Sequence, residues 1–431
     1  MIRENTSTTF KILFGETANE IAGEVNFIRR RRHLTGSQFS KTIILGLLEN
    51  PSASRTEMSS IALGVGKQLK PQSLDARLQS EEASLFFKAL LDKVLNIAWL
   101  KEKAILPESL DLFEDIILND ASIVPLPDVL EDLFPTGKKL EGQRAGAKIH
   151  ARYSFVSKQV SIVLTPAQVH DQKIEWLPKK IEPKQLFLMD LGYYKLASFE
   201  QISNADAYFI TRYKTGTCLF DESGGKVDLV PYLAKNNSFD LSVEIGASKR
   251  IKGRLVGHKI GEEEANERRR LLKRQCQSRG TKASKESLLL CGYVLLLTNI
   301  AATDLASKLI LDLAKVRWQI ELLFKCWKTH LNQIHTWTSA KRQVILCMFY
   351  AKLLGCLCQQ YLYLEASWNR WRQSLFKSVK AIRSFIPQLI KCVENTLELE
   401  ALLMQMKDAL VVCSVGKRKN KATFQFFEAN L

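Results

Sequence analysis

Three acidic residues stand where an acid can do chemistry rather than merely solvate a surface. Asp120 follows the short apolar run Ile116-Ile-Leu, and Asp190 follows the apolar run Gln185 to Met189. An acid at the C-terminal end of a strand projects into the crevice where α/β folds usually place their sites. The same position also suits an aspartate that shapes a turn or caps a helix. The third acid, Glu321, lies in a stretch that carries two helical patterns at once. Leu313, Val316, Ile320, Phe324, Trp327 and Leu331 recur every three or four residues as an apolar stripe, while Arg317, Glu321, Lys325 and Lys328 share another face. One reading of that second face is a ladder of surface ion pairs, each worth on the order of a few tenths of a kcal/mol. The other is a metal-binding carboxylate flanked by cations that hold phosphates. A hydrated divalent ion such as Mg²⁺ takes hard oxygen ligands, and two such ions about 4 Å apart stabilise both the attacking and the leaving oxygen at phosphorus. Three converging carboxylates suit that task.

The surrounding chain has to position these groups. Residues 1–100 read as helical. Thr35 is placed to cap a helix carrying Phe39, Ile43, Ile44, Leu47 and Leu48, and Pro51 ends it. A short helix from Thr56 toward Gly64 and a second from Pro71 over Gln72 to Gln79 allow either ordinary packing or a loose helix-turn-helix. Arg29 to Arg32 form a basic run beside them. From about 112 to 215 the period becomes that of strands: Ile116 to Leu118, a hairpin of Ala151 to Val156 and Gln159 to Leu164 around Ser157-Lys158, Gln185 to Met189, and Ala207 to Arg212 after a helix with Leu196 and Phe199. Strands alternating with helices predict a mixed α/β layer. Residues 216–286 break the pattern with a Gly224-Gly225 turn, β-like pieces at Val227 to Val230 and Leu241 to Ile245, and a basic block. Between Lys249 and Lys285 there are 13 Lys or Arg against four Glu. Leu288 to Thr298 reads as a buried strand, Asp304 to Leu331 as one long amphipathic helix, and the rest to about 411 as helical, before a basic tail from Gly416.

Composition narrows the partners. Hydrophobic residues make up 46% and charged residues 25% of 431 residues, which suits a globular protein of two or three domains. The longest apolar run read from the sequence, Leu288 to Leu297, is ten residues and is broken by Gly292. A bilayer span needs about 20, so no membrane partner is expected, and no secretory signal is seen. The net charge of +17 points to a polyanion, with nucleic acid ahead of membrane. The nine cysteines are scattered and predict reduced, mostly buried thiols in a cytoplasmic chain.

Here the residues carry a resemblance. Lys315-Val-Arg-Trp-Gln-Ile-Glu-Leu-Leu-Phe-Lys-Cys-Trp-Lys resembles the signature helix of bacterial insertion-sequence transposases of the IS-four type, whose pattern is Tyr-x2-Arg-x3-Glu-x6-Lys. Arg317, Glu321 and Lys328 match in spacing, and Ala314 stands where the pattern has Tyr. Leu188-Met-Asp-Leu-Gly-Tyr resembles the second-aspartate motif and gives Asp190, Gly192 and Tyr193. Leu118-Asn-Asp-Ala-Ser-Ile-Val-Pro-Leu-Pro resembles the first and gives Asp120. Ala145-Gly-Ala-Lys-Ile-His, Leu164-Thr-Pro-Ala-Gln-Val-His-Asp and Phe27-Ile-Arg-Arg-Arg-Arg also resemble family segments, in the same order.

The resemblance implies an α/β fold: a ribonuclease H-like mixed-sheet core at 106–213 and 288–345, with a β-rich basic insertion at 214–287. A helical DNA-binding domain at 1–105 and a helical C-terminal region at 346–431 would flank it. It implies catalytic and metal-binding roles for Asp120, Asp190 and Glu321, with Mg²⁺ as cofactor and Mn²⁺ as substitute. The reaction would cut double-stranded DNA at the terminal inverted repeats and join the 3′ hydroxyl to target DNA, without a covalent enzyme–DNA intermediate, in a homodimeric complex. Arg317, Lys325 and Lys328, with Arg268, Arg269 and Arg270 of the basic block, would hold DNA. The missing Tyr keeps a second reading open, a decayed relative that binds DNA without catalysis. His170 and Asp171 read as structural.

Overall fold

The computed structural model describes residues 4–29, 34–97, 106, 108–156, 159–328, 334–367, 374–393 and 395–413. Arg30 to Arg32, the Ser157-Lys158 turn, Leu331 and the basic tail lie outside the described residues. The chain forms two compact units. One comprises Met1–Ile105, Ala121–Val169 and Gln319–Asn420, and the other Leu106–Asp120, His170–Trp318 and Lys421–Leu431.

The first unit opens with helices α1 (Glu4–Phe14), α2 (Glu16–Glu24), α3 (Gly36–Glu49), α4 (Arg55–Gly64), α5 (Pro71–Leu78) and α6 (Glu81–Leu95). Local chemistry sets their starts. Thr35 Oγ1 accepts from the Gln38 amide at 3.1 Å while Gln38 Oε1 accepts from the Thr35 amide at 3.2 Å, a reciprocal cap on α3. Ser54 and Glu57 repeat the device on α4, and Pro71 opens α5. The apolar sides of α4 and α5, Met58 with Ala62 and Leu74 with Leu78, are buried.

The strands follow: β1 (Asp115–Leu126), β2 (Pro135–Leu140), β3 (Gln143–Ser154), β4 (Val160–Pro166) and β5 (Gln185–Met189). After them come α7 (Leu196–Asn204), β6 (Tyr208–Arg212), β7 (Leu219–Phe220), α8 (Leu229–Lys235), β8 (Ser238–Ile245), β9 (Ile251–Lys259), α9 (Glu262–Ser278), α10 (Lys285–Leu290), β10 (Tyr293–Thr298) and α11 (Ser307–Val316). In the second unit the sheet runs β1-β5-β6-β10-β9-β8-β7. Its β1-β5-β6 part is parallel, and every later pairing is antiparallel. The latter half of β1 belongs to the first unit, where β3 lies beside it and also pairs with β2 and β4. This is the mixed, ribonuclease H-like sheet that the resemblance implies, with helical regions toward both ends.

The first unit closes with α12 (Trp318–Lys328), α13 (Arg342–Ser367), α14 (Leu375–Ser384), α15 (Ile386–Cys392) and α16 (Thr396–Val411). Helix α13 is the core of this helical part and packs on α1, α3, α6, α14 and α16. Its Arg342–Tyr363 stretch is long and apolar enough to cross a bilayer, yet its apolar window is buried inside the protein. All nine cysteines are free thiols, and six of them are buried.

Four sequence expectations need correction. Strand β1 does not stop at Asp120 but continues to Leu126. Val227 to Val230 is not a strand: Asp228 caps α8 by accepting from the Val230 amide at 3.0 Å, and the cap overrides the β-branched residues. Leu288 to Leu290 belongs to α10, capped by Ser284 and ended before Gly292, so β10 starts only at Tyr293. The long helix is two helices, α11 and α12, with Arg317 between them.

One residue of the basic block is structural. The Arg254 side chain is only 4% exposed, and its guanidinium pairs with Asp240 through both carboxylate oxygens. Its Nη1 also donates to the carbonyls of Ile300 at 3.1 Å, Ala301 at 3.0 Å and Leu305 at 2.9 Å. It therefore ties β9 to β8 and to the segment that launches α11. Arg254→Ala leaves three carbonyls without their donor, while the freed Asp240 carboxylate stays open to water, and orphaned buried acceptors of this kind cost on the order of 1–3 kcal/mol. Urea unfolding of the variant should show a loss of that size, with Asp240→Asn costing less.

Candidate active site

The register of two parallel strands sets the geometry of the two aspartates. Strand β1 pairs with β5 from Asp115↔Gln185 to Asn119↔Met189. The next residue on each chain is the predicted acid, so Asp120 and Asp190 leave the paired ladder side by side. Strand β5 is buried along Leu186 to Met189 and ends there, because Leu191–Tyr193 turns into a short 3-10 helix. Strand β1 goes on without β5, and its residues change from buried before Asp120 to half-buried from Asp120 to Ile123. Both carboxylates are thus half-buried at the point where the β1–β5 ladder ends.

The turn after Asp190 is tightly built. The Tyr193 amide donates to the Asp190 carbonyl at 3.0 Å. The Tyr193 ring is buried and packs edge-on against Trp176 at 5.7 Å, which in turn meets Phe187 of β5 at 6.1 Å. Burial pushes the Tyr193 phenol well above its ordinary range, and the negative charges of Asp171, Asp120 and Asp190 push it further. The phenol is therefore a protonated hydrogen-bond donor in a field set by three carboxylates. Gly192 explains how one of them comes so close: a Cβ there would meet Asp171 Oδ2 at 2.8 Å. The sequence alone reads Asp171 as structural, and the only signal for its nearness is the side-chain-free position in Asp-Leu-Gly-Tyr.

Arg317 lies between α11 and α12 with its Nη1 3.7 Å from Asp120 Oδ2, and the two side chains are 15% and 18% exposed. The structure therefore brings together Asp120, Asp190 and Arg317 of the predicted set. Glu321, Lys325 and Lys328 belong to the other compact unit, on α12. There Glu321 occupies the first turn and is half-buried, Lys325 is exposed and Lys328 is half-buried, above the buried stripe of Ile320, Phe324 and Trp327. Among the described residues, no three His, Cys, Asp or Glu side chains close into a metal-binding cluster. The donor set nonetheless fits a hard divalent ion, since Asp120 and Asp190 are neighbouring carboxylates with oxygen donors only.

The basic block sorts itself on α9. Arg268 pairs with Glu264 at 2.7 Å and donates to the Tyr293 carbonyl at 3.2 Å. Arg269 pairs with Glu262 at 2.6 Å and donates to the Leu288 carbonyl at 3.2 Å. Both hold α9 on its neighbours. Arg270 is more open, 61% exposed, with Glu267 at 3.5 Å. Beyond it Lys273, Arg274, Arg279 and Lys282 are exposed, and Lys273 and Lys282 line a cavity of about 510 Å³.

Comparison with known proteins supplies the family. A family described as the transposase DDE domain matches residues 111–357, a span that contains Asp120, Asp190, Arg317 and Glu321. The chain is 25% identical over 421 residues to the transposase for insertion sequence element IS231B of Bacillus thuringiensis subsp. berliner, covering 91% of this chain and 87% of that protein. It is 25% identical over 416 residues to the IS231E transposase of Bacillus thuringiensis subsp. finitimus, covering 90% and 86%. It is 23% identical over 371 residues to the IS1151 transposase of Clostridium perfringens, covering 79% and 76%. With the match spanning more than half of its length and enclosing the paired aspartates, this chain belongs to the DDE-domain transposase family of insertion sequences.

Proposed function

We propose that this transposase cuts double-stranded DNA at the terminal repeats of its own element and joins the 3′ ends to target DNA, with Asp120, Asp190 and Glu321 as the acting carboxylates. The observation that carries this reading is the pair Asp120 and Asp190, delivered side by side by the β1–β5 register with Arg317 on the first of them. The residues suit Mg²⁺, with Mn²⁺ as a substitute. When bound, a divalent ion supplies Lewis-acid polarisation of the phosphoryl oxygens. The protein's own work is positioning. Arg317 neutralises and orients Asp120, and it is also a donor for a phosphate oxygen near the cut. Lys325 and Lys328 serve the same phosphate track from α12, one and two turns beyond Glu321. Catalysis is then orientation plus charge stabilisation of an in-line displacement, with no covalent intermediate on the protein.

Around this centre we assign 106–213 with 288–345 to the catalytic core and 214–287 to a DNA-gripping insertion. We assign 1–105 to a DNA-binding helical domain and 346–431 to a helical C-terminal region, in a cytoplasmic protein that acts as a homodimer on DNA. A second reading has one observation in its favour. Ala314, half-buried on α11 three residues before Arg317, stands where the family pattern has Tyr. A chain that had lost its DNA-positioning group could persist as a binder alone.

The two readings separate in one experiment. Asp190→Ala or Glu321→Ala removes an oxygen ligand without touching the basic surface. Cleavage of an end-containing duplex in Mg²⁺ should fall by at least about a thousandfold, as expected for several kcal/mol of lost charge stabilisation. DNA binding measured without metal should persist. Arg317→Ala and Lys328→Ala should slow cleavage and weaken binding together. If the wild-type chain shows no cleavage with Mg²⁺ or Mn²⁺, and Ala314→Tyr restores none, the binding-only reading replaces the enzyme.

The insertion has its own test. Changing Arg270, Lys273 and Arg274 together to Gln removes exposed cations of α9 while leaving Arg268 and Arg269 to hold the helix. The log–log salt dependence of DNA affinity should flatten by roughly 0.9 for each lost phosphate contact. An unchanged slope assigns those cations to solubility.

A further inference from the structure

We propose that Asp171 is a positioning residue of the acidic site. Seated on the side-chain-free face of Gly192, it fixes the turn that carries Asp190 and adds a third negative charge to the place where a divalent cation is held. The inference rests on the reading of Asp120 and Asp190 as metal-binding carboxylates.

Three observations in the second compact unit support it. The first is steric. Asp171 Oδ2 lies 2.8 Å and its Cγ 3.6 Å from where a Cβ of residue 192 would be, so the carboxylate occupies the space that glycine leaves. The second is local scaffolding. The 3-10 turns Asp171–Lys173 and Leu191–Tyr193 pack on each other, and Trp176, five residues after Asp171, closes over the Tyr193 ring. The Asp190 turn therefore has two supports, its own 3-10 hydrogen bond and the Asp171 segment. The third is electrostatic. The buried Tyr193 phenol senses Asp171 together with Asp120 and Asp190, so the three acids share one neighbourhood.

The same facts limit the role. The Asp171 carboxylate sits against the Gly192 position, so the role assigned to it is support of the turn that carries Asp190 and not ligation. Gathering like charges is unfavourable in the absence of a cation. The arrangement is useful where a cation is to be held, because outer-shell groups orient the ligands and raise the affinity of the site.

The full-length protein allows charge and shape to be varied apart. Asp171→Asn keeps the side-chain outline and removes the charge. Gly192→Ala keeps the charge and displaces the carboxylate. Mn²⁺ binding is read as the loss of the free-ion electron paramagnetic resonance signal, without DNA and without turnover, alongside the melting temperature and metal-free DNA affinity. Both variants should weaken Mn²⁺ binding by about tenfold, at the lower end of the usual 10–100-fold outer-shell effect. The Mg²⁺ concentration for half-maximal cleavage should rise in parallel. Asp171→Asn should leave the melting temperature and metal-free DNA affinity at wild-type values. Wild-type Mn²⁺ binding by Asp171→Asn overturns the proposal, as does a loss of melting temperature and DNA affinity that accounts for the weaker binding. Asp190→Ala distinguishes the two levels of inference. If it also binds Mn²⁺ as wild type does, the metal-site reading itself fails. If it loses the ion while Asp171→Asn keeps it, only the role of Asp171 fails.

Discussion

The parallel register between β1 and β5 is the constraint on which the candidate site depends. A slip of one residue would move Asp190 relative to Asp120 and draw either Asp190 or the polar residues before Leu186 into the buried ladder. Ile116, Ile117 and Leu118 on one strand and Leu186, Phe187 and Leu188 on the other are all buried, so every slipped register exposes apolar surface or buries an acid. The carboxylates thus stand at the edge of an apolar ladder whose core contacts specify their pairing. The two acids side by side cost energy as like charges, a cost that Arg317 offsets at Asp120.

The second requirement is charge balance. A chain of net charge +17 has cations in excess, and the fold uses them in distinct ways. Arg254 is held inside the protein as a clamp on carbonyls and Asp240. Arg268 and Arg269 anchor α9 to the segments at Leu288 and Tyr293. Arg317 turns toward an acid of the site. The outer part of α9 and the residues just after it keep their cations in solvent, where a polyanion can reach them. Charge density along a sequence therefore overstates the electrostatic footprint, because half-buried arginines are already committed to backbone carbonyls.

Much of this architecture is legible in the sequence, and the exceptions have identifiable physics. Asp190 is readable because an apolar run, an acid and a glycine turn follow one another, and the structure keeps that order as strand, acid and 3-10 turn. The Thr35 cap is readable because its partner Gln38 is three residues away. Asp120 reads as a strand end because a polar residue interrupts the apolar run. In fact β1 runs on while its pairing with β5 ends at Asn119, and a residue just past the end of a ladder need not be apolar. The break at Arg317 leaves no trace because Leu313, Val316, Ile320 and Phe324 stay in helical phase across it, with neither Pro nor Gly between. Asp171 lies 19 residues before Asp190 in sequence. Its proximity depends on the missing side chain at 192, and turns take glycine most often for backbone freedom, with no carboxylate nearby.

The buried apolar stretch of α13 has a consequence for how the protein is made. Its partners α3 and α6 belong to the first hundred residues, and α13 begins at Arg342. At roughly 5–20 residues per second, the ribosome takes on the order of tens of seconds to travel from one to the other. Throughout that interval the N-terminal helices have emerged without the hydrophobic rod that completes them. When the rod appears, it has the composition of a bilayer span. Until it docks, the apolar faces of α3 and α6 lack the partner that buries them.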